Sequence, residues 1–124
     1  MAYINQETKK KIVSAVKPIM KKYGVKGTFS IRNNSTIVLN VKSGKVDFAS
    51  DYGKPEEDYI QVNPYWFHDH FAGKSKKFLT EVFTTMKKAG NWFDNSDAQI
   101  DYFNTAYYID VNIGKWNQPY EKTV

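Results

Sequence analysis

The sequence has no cysteine, and a single arginine, Arg32, stands among its eighteen basic residues. The lack of cysteine excludes disulfides, thiolate metal ligands and thiol nucleophiles, and it favours a reducing, cytoplasmic setting. The shortage of arginine weakens the case for nucleic-acid recognition, because guanidinium groups form the paired hydrogen bonds that read phosphate and guanine. No apolar run approaches the roughly 18 residues of a membrane span, and residues 1–11 are too polar for a signal peptide, so we expect no membrane contact.

The composition is that of an ordinary globular protein. Hydrophobic residues make up 41% of the chain and charged residues 25%, which disfavours disorder over the whole length. A length of 124 residues suits one domain, residues 1–124. The formal net charge of +5 allows an anionic partner, although a lysine-rich surface also serves solubility.

The first half of the chain predicts a helix followed by a β-hairpin. The helix is capped by Asn5 or Thr8 and runs to about residue 23, with a kink or break expected near residue 16 because of Pro18. A three-residue turn at 33–35 places Ile31 opposite Ile37, so that the apolar residues of both strands share one face. A third short strand is predicted at 45–48.

The second half adds two strands and several helical segments. The pattern predicts a solvated loop at 51–58, a strand at 59–62, a short helix at 65–71, a longer helix from Ser75 to Gly90, a helical turn at 96–103 and a strand at 106–113. The fold class is therefore α+β: a single antiparallel β-sheet of about four to five strands with helices packed mainly on one face.

Two short motifs suggest chemistry at first sight. Gly73, Lys74 and Ser75 match the end of a phosphate-binding loop, but His68 stands where the first glycine of that motif belongs, so a helix cap is the better interpretation. His68 and His70 are weak candidates for a metal or acid-base site, since residues two apart point to different sides of a helix. They support at most a third hypothesis, a small hydrolase or metal-dependent enzyme.

The C-terminal region combines aromatic and acidic residues, which is typical of a surface that binds another protein. Tyr108, Asp110 and Asn112 share one face if their strand is regular, and an aspartate there would repel phosphate. The candidate protein-binding residues are Trp92, Tyr108, Asp110, Asn112, Trp116 and Tyr120.

A second hypothesis is nucleic-acid binding through the lysine-rich helices, with Arg32 reaching a phosphate. Such binding would weaken steeply with salt, because neutralised phosphates release counterions. The candidate residues are Lys9, Lys10, Lys11, Lys21, Lys22, Arg32, Lys76 and Lys77.

Three segments carry a resemblance to known proteins: STIVLNVKSGKVDF at 35–48, YIQVNPYW at 59–66, and residues 94–120, in which DYFNTAYYIDVNIGKWNQPY at 101–120 is the most distinctive stretch. Together they resemble a group of small uncharacterised proteins encoded by bacteriophages and related mobile elements. The group has no assigned activity, so the resemblance implies no catalytic residue. It implies a phage accessory protein that binds a host or phage protein, for example as an inhibitor of host defence.

These observations order the functional hypotheses. The first is a non-enzymatic accessory protein without a cofactor that binds a host or phage protein in the bacterial cytoplasm. Nucleic-acid binding is the second, and an enzyme centred on His68 and His70 is the third.

Overall fold

The computed structural model describes residues 2–54, 59–94, 105–115 and 118–123, and it contains both helices and strands. The elements are α1 (Gln6–Tyr23), β1 (Val25–Arg32), β2 (Thr36–Gly44), α2 (Phe48–Asp51), β3 (Ile60–Val62), α3 (Phe67–His70), α4 (Gly73–Ala89), β4 (Tyr108–Ile113) and β5 (Glu121–Lys122). The predicted α+β class is confirmed.

Helix α1 has the predicted cap and end but not the predicted break. The Asn5 side chain accepts a hydrogen bond of 2.8 Å from the Thr8 backbone N–H, and Gly24 ends the helix with a positive φ of 67°. The helix continues through Pro18 without interruption. Ser14 and Pro18 are both exposed, so water can bind the Ser14 carbonyl that Pro18 leaves without a donor.

The hairpin of β1 and β2 has the predicted register. Ile31 pairs with Ile37 across a turn at 33–35. One irregularity interrupts the ladder between Lys26 and Gly27. A side chain is excluded at this position, because a Cβ atom on Gly27 would lie 2.4 Å from the Asn40 carbonyl oxygen.

The sheet is mixed, so the prediction of a purely antiparallel sheet was wrong. Its order is β1-β2-β4-β3, with β5 pairing with the end of β2. β2 and β4 are parallel, while β1–β2 and β3–β4 are antiparallel. The physical reason is the long connection from β2 to β4, which contains α2, β3, α3 and α4 and can return the chain to the same end of the sheet.

The predicted third strand at 45–48 was also wrong. β2 already ends at Gly44, and Asp47 starts a short helix by accepting a hydrogen bond of 3.2 Å from the Ser50 backbone N–H. Asp51, which we assigned to a loop, is the last residue of this helix. Helix α4 begins at Gly73, two residues before the predicted cap, and the predicted helical turn at 96–103 lies outside the described residues.

The two faces of the sheet differ in polarity. One face is apolar and forms a core with the buried stripes of α1 and α4, which confirms that the helices lie mainly on one side. The core-facing residues of the sheet include Ile37, Leu39, Val41, Ile60, Val62, Ile109, Val111 and Ile113. The opposite face carries Ser30, Val38 and Asp110 in one row across β1, β2 and β4.

Candidate functional site

Exposed aromatic side chains gather at one end of the molecule. Among the large apolar side chains described, Tyr65 is 71% exposed and Tyr108 is 49% exposed, and both line a cavity of about 420 Å³. Tyr3 and Phe93 are exposed as well. We call these four residues, Tyr3, Tyr65, Phe93 and Tyr108, the aromatic end. Large exposed rings of this kind are typical anchors of protein interfaces.

Tyr65 is held in a turn that the sequence builds with Asn63 and Pro64. The Asn63 side-chain oxygen accepts hydrogen bonds of 2.9 Å from the Tyr65 backbone N–H and 3.2 Å from that of Trp66. An asparagine that binds the backbone two and three residues ahead stabilises a turn. Tyr65 and its exposed neighbour Trp66 therefore project from a defined turn rather than from a long loop.

Tyr3 and Phe93 are joined to the same end by the backbone of Ala106. The Tyr3 N–H donates to the Ala106 carbonyl at 2.9 Å, and the Ala106 N–H donates to the Phe93 carbonyl at 2.9 Å. Ala106 lies two residues before Tyr108, whose own N–H donates to the Ser35 carbonyl at 2.9 Å. Three segments that are distant in sequence thus meet beside the first residue of β4.

An ion pair crosses the polar face of the sheet next to Tyr108. Arg32 on β1 binds Asp110 on β4, and these two strands lie on opposite sides of β2. Arg32 pairs in register with Thr36 and Asp110 with Val38, so the ion pair spans β2 beside these two buried residues. Asp110 is neutralised by this partner, so it offers less repulsion to an anion than the sequence suggests.

The structure gives the other predicted protein-binding residues mainly structural contacts. Asn112 donates a hydrogen bond of 3.2 Å to the Asn40 side chain, and the Trp92 indole N–H donates to the Tyr107 carbonyl at 2.7 Å. The Tyr120 hydroxyl donates to the Val46 carbonyl at 2.8 Å. Burial, followed by the charge of Asp47, raises the pKa of Tyr120. Trp116 lies outside the described residues.

Tyr107 fixes the base of the aromatic end. Its ring is buried between β4 and α4, where the hydroxyl donates to the Met86 carbonyl. Burial raises the pKa of the Tyr107 phenol to about 12, because the charged phenolate is poorly solvated there. Trp92 packs nearby with the Lys87 ammonium 4.5 Å from its ring centroid, which helps to hold the wall of the cavity.

We expect alkaline pH to destabilise the protein partly through Tyr107. Its pKa rises from 10.0 to about 12 on folding, so the neutral phenol stabilises the fold fully below pH 10 and this contribution is lost as the pH rises through 12. Between pH 10 and 11, Tyr107→Phe should therefore lose about 1 kcal/mol less stability than the wild type. Urea unfolding of both proteins at these pH values measures the difference; equal losses would contradict the prediction.

The segment that resembles a phosphate loop binds a carboxylate of the protein itself. Asp51 accepts hydrogen bonds from the Ser75 backbone N–H at 3.1 Å and from the Ser75 hydroxyl at 2.6 Å. Its backbone carbonyl also accepts from the Ala72 N–H at 3.1 Å. Asp51 thus occupies the start of α4, where a phosphate would have to bind.

Both histidines of the short helix α3 are exposed. The His68 ring contacts Phe67 and the His70 ring contacts Tyr52, both edge-on. Among the described residues, no group of three or more acidic or histidine side chains could hold a metal ion. The described part of the chain therefore adds no observation in favour of the enzyme hypothesis.

The residues of the nucleic-acid hypothesis do not share one surface. Lys9 and Lys21 line a groove beside β1, whereas Lys22, Lys76 and Lys77 lie between α1 and α4 around Glu81. Lys10 and Lys11 are exposed on α1 but are not among the lining residues of either feature, and Arg32 is paired with Asp110 on the polar sheet face.

One of these lysines is already engaged. The Lys22 ammonium lies 3.0 Å from Glu81, which also accepts a hydrogen bond from Tyr23. The hydrogen bond from Tyr23 and, as a smaller effect, the hydrogen bond from Lys22 lower the pKa of the Glu81 carboxyl. The hydrogen bond to Glu81 also raises the pKa of Tyr23. Glu81 therefore keeps a negative charge where the second hypothesis requires a uniformly positive surface.

Sequence patterns did not reveal several residues of the aromatic end and of the groove beside β1. Tyr65 was hidden because residues 65–71 were assigned to a helix, although the preceding Asn-Pro pair is a turn signal. Lys17 was omitted although Lys9, Lys17 and Lys21 fall on one helix face at multiples of four residues. Lys26 and Lys45 had no comparable signal, since their approach to α1 depends on how the hairpin packs.

Comparison with known proteins does not assign the chain to a family. No family model, curated protein or solved structure matches it. None of the helices in the described ranges is long and apolar enough to cross a membrane. The bacteriophage resemblance therefore stays a prediction.

Proposed function

We propose that this protein is a non-enzymatic accessory protein that binds another protein through its aromatic end. The observation that carries the proposal is that exposed Tyr65 and Tyr108 line one cavity, while the backbone of exposed Tyr3 and Phe93 binds Ala106, two residues before Tyr108. In accordance with the bacteriophage resemblance, the partner is a host or phage protein in the bacterial cytoplasm.

The chemistry of this end suits a protein partner. Tyrosine rings contribute apolar area with few rotatable bonds, and their hydroxyl groups can still form hydrogen bonds at the rim. The rings stand on a firm base, because Tyr107 and Trp92 beneath them are hydrogen-bonded to the backbone. The neighbouring Arg32–Asp110 ion pair supplies a polar rim. An apolar centre with a polar rim is the usual arrangement of a protein interface.

The aromatic end can be tested by affinity capture from a bacterial lysate with tagged protein, followed by a binding measurement with the purified partner. We expect the double variant Tyr65→Ala/Tyr108→Ala to weaken binding by roughly tenfold or more, because buried tyrosine anchors carry much of an interface's energy. Surface substitutions of this kind should leave the unfolding midpoint nearly unchanged.

Tyr59→Ala provides a matched control. Tyr59 is an exposed tyrosine, but it adjoins Ile60, which pairs with Ile113 at the far end of β4 from Tyr108. The control should bind the partner with wild-type affinity. Equal affinity of the double variant and the wild type would refute the assignment of the interface to the aromatic end.

A further inference from the structure

A second surface lies beside β1, whereas β4 pairs with the other strand of the hairpin, β2. It is a groove of about 1140 Å³ between α1 and β1, and its floor is apolar. Met20 and Val25 are buried in this floor, and Val13 and Phe29 are partly buried. An apolar floor of this length requires a ligand that brings apolar groups of its own.

The walls of the groove are positively charged. Five lysines line it, and the described lining residues include no carboxylate. These lysines are Lys9, Lys17, Lys21, Lys26 and Lys45. Within the described ranges, none of the five forms an ion pair with an acidic side chain. Their charges are therefore available to an anionic ligand.

One long side of the groove is the edge of the sheet. In the described part of the chain β1 pairs with β2 alone, so alternate backbone N–H and C=O groups of its outer edge have no strand partner there. An extended peptide can bind such an edge by adding a strand, with backbone hydrogen bonds for affinity and alternate side chains for specificity.

We propose that this groove binds an extended, acidic peptide segment of a partner protein, which adds to β1 as a further strand. Its carboxylates bind the lysines of the walls, and its alternate apolar side chains cover the floor between Val13 and Phe29. The segment is about five residues long, because Lys9 to Lys21 spans about 18 Å of helix and a strand rises about 3.3 Å per residue.

The composition of the groove also disfavours two other ligands, a second copy of this chain and a nucleic acid. A second copy of β1 would bring Lys26 against the same positive walls, and like charges across an interface oppose association. A nucleic acid would meet favourable charge but would leave the apolar floor and the backbone groups of β1 without partners. Phe29 is the single aromatic residue among the described lining residues, and it is partly buried, which gives little surface for base stacking.

The proposal can be tested with the full chain and a synthetic peptide in which glutamate and valine alternate over seven residues. We expect saturable binding by isothermal calorimetry, with the largest amide NMR shifts at residues 25–29, and affinity that falls as salt increases. A second peptide of equal charge, N-methylated at the central valine and at the adjacent glutamate, should bind at least about tenfold more weakly, because one of two adjacent backbone N–H groups must face β1. Binding of neither peptide would overturn the proposal.

Matched charge reversals separate the groove from general attraction. Lys17→Glu/Lys21→Glu should lose peptide binding, whereas Lys10→Glu/Lys11→Glu changes the net charge equally on the same helix outside the groove and should retain most of it. Equal losses in both variants would overturn the proposal. So would tighter binding of a single-stranded DNA probe that displaces the peptide, since the groove would then be a nucleic-acid site.

The proposals for the groove and for the aromatic end can be tested independently of each other. Tyr65→Ala/Tyr108→Ala leaves every lining residue of the groove in place and should bind the glutamate–valine peptide as the wild type does. Loss of peptide binding in that variant would show that the two surfaces are not separate.

Discussion

Phe78→Ala is expected to lower the free energy of unfolding by about 3–5 kcal/mol, the usual cost of removing a large ring from a closed core. Phe78 lies on α4 and is fully buried. Its ring meets Tyr23 of α1 edge-on at 5.4 Å and Phe48 of α2 at 5.6 Å. The truncation would therefore remove the ring contacts that α4 makes with both α1 and α2.

Denaturant titration followed by circular dichroism measures this loss. Phe78→Leu keeps most of the apolar volume and should cost less than half as much as Phe78→Ala. If the alanine variant unfolded at nearly the wild-type denaturant concentration, Phe78 could not be the common contact of α1, α2 and α4. Because a cost of this size is a large part of the stability of a small domain, the purified variant should be handled at low temperature.

Asp51→Ala is expected to cost about 2–4 kcal/mol by removing the carboxylate that begins α4. Two losses add in this variant. The helix loses its N-terminal capping interaction, typically worth about 1 kcal/mol, and the buried Ser75 hydroxyl loses its 2.6 Å partner at a further cost of about 1–3 kcal/mol. Ala72 stands at the N-cap position of α4 and has no side-chain oxygen to compensate.

The contribution of the hydroxyl can be isolated with a second substitution. Asp51→Ala/Ser75→Ala removes both partners, so no buried hydroxyl is left unsatisfied, and the double variant should be more stable than the sum of the single variants predicts. Additive single-variant effects in urea unfolding would contradict a direct interaction. Wild-type stability of Asp51→Ala would show that the hydrogen bonds contribute nothing.

Phe78→Ala and Asp51→Ala also serve as folding controls for the binding experiments. Phe78 and Asp51 act through the core and the start of α4, whereas Tyr65, Tyr108 and the groove lysines are at the surface. A binding defect caused by partial unfolding would therefore appear in Phe78→Ala as well. A defect confined to the surface variants, with unchanged unfolding midpoints, assigns the effect to the contact itself.

Local sequence signals predicted the elements that depend on neighbouring residues. The cap at Asn5, the end of α1 at Gly24 and the register that pairs Ile31 with Ile37 all follow from interactions within a few residues or one hairpin. The prediction at 45–48 failed because a short apolar alternation fits a strand and the start of a capped helix equally well. Asp47 is the signal that would have separated the two.

Long-range pairing was not available from these signals. The parallel contact of β2 with β4 joins residues 36–41 to residues 108–113, and nothing in either segment specifies which strand lies beside it. Pairing direction depends on how the intervening helices cover the sheet, which is a property of the whole packed chain. The same reason explains why Asp110 was read as a repulsive charge: its partner, Arg32, comes from a strand two positions away.

Sequence alone determined the α+β class, the hairpin and the absence of cysteine chemistry, because these follow from composition and from periodicity within short segments. Tertiary structure alone decided which side chains form surfaces. It brought Tyr3, Tyr65, Phe93 and Tyr108 to one end, and it placed lysines from α1, β1 and the segment after β2 around a single groove. Packing of the helices against one face of a mixed sheet sets these proximities, since burial of the apolar face decides which polar and aromatic residues remain outside.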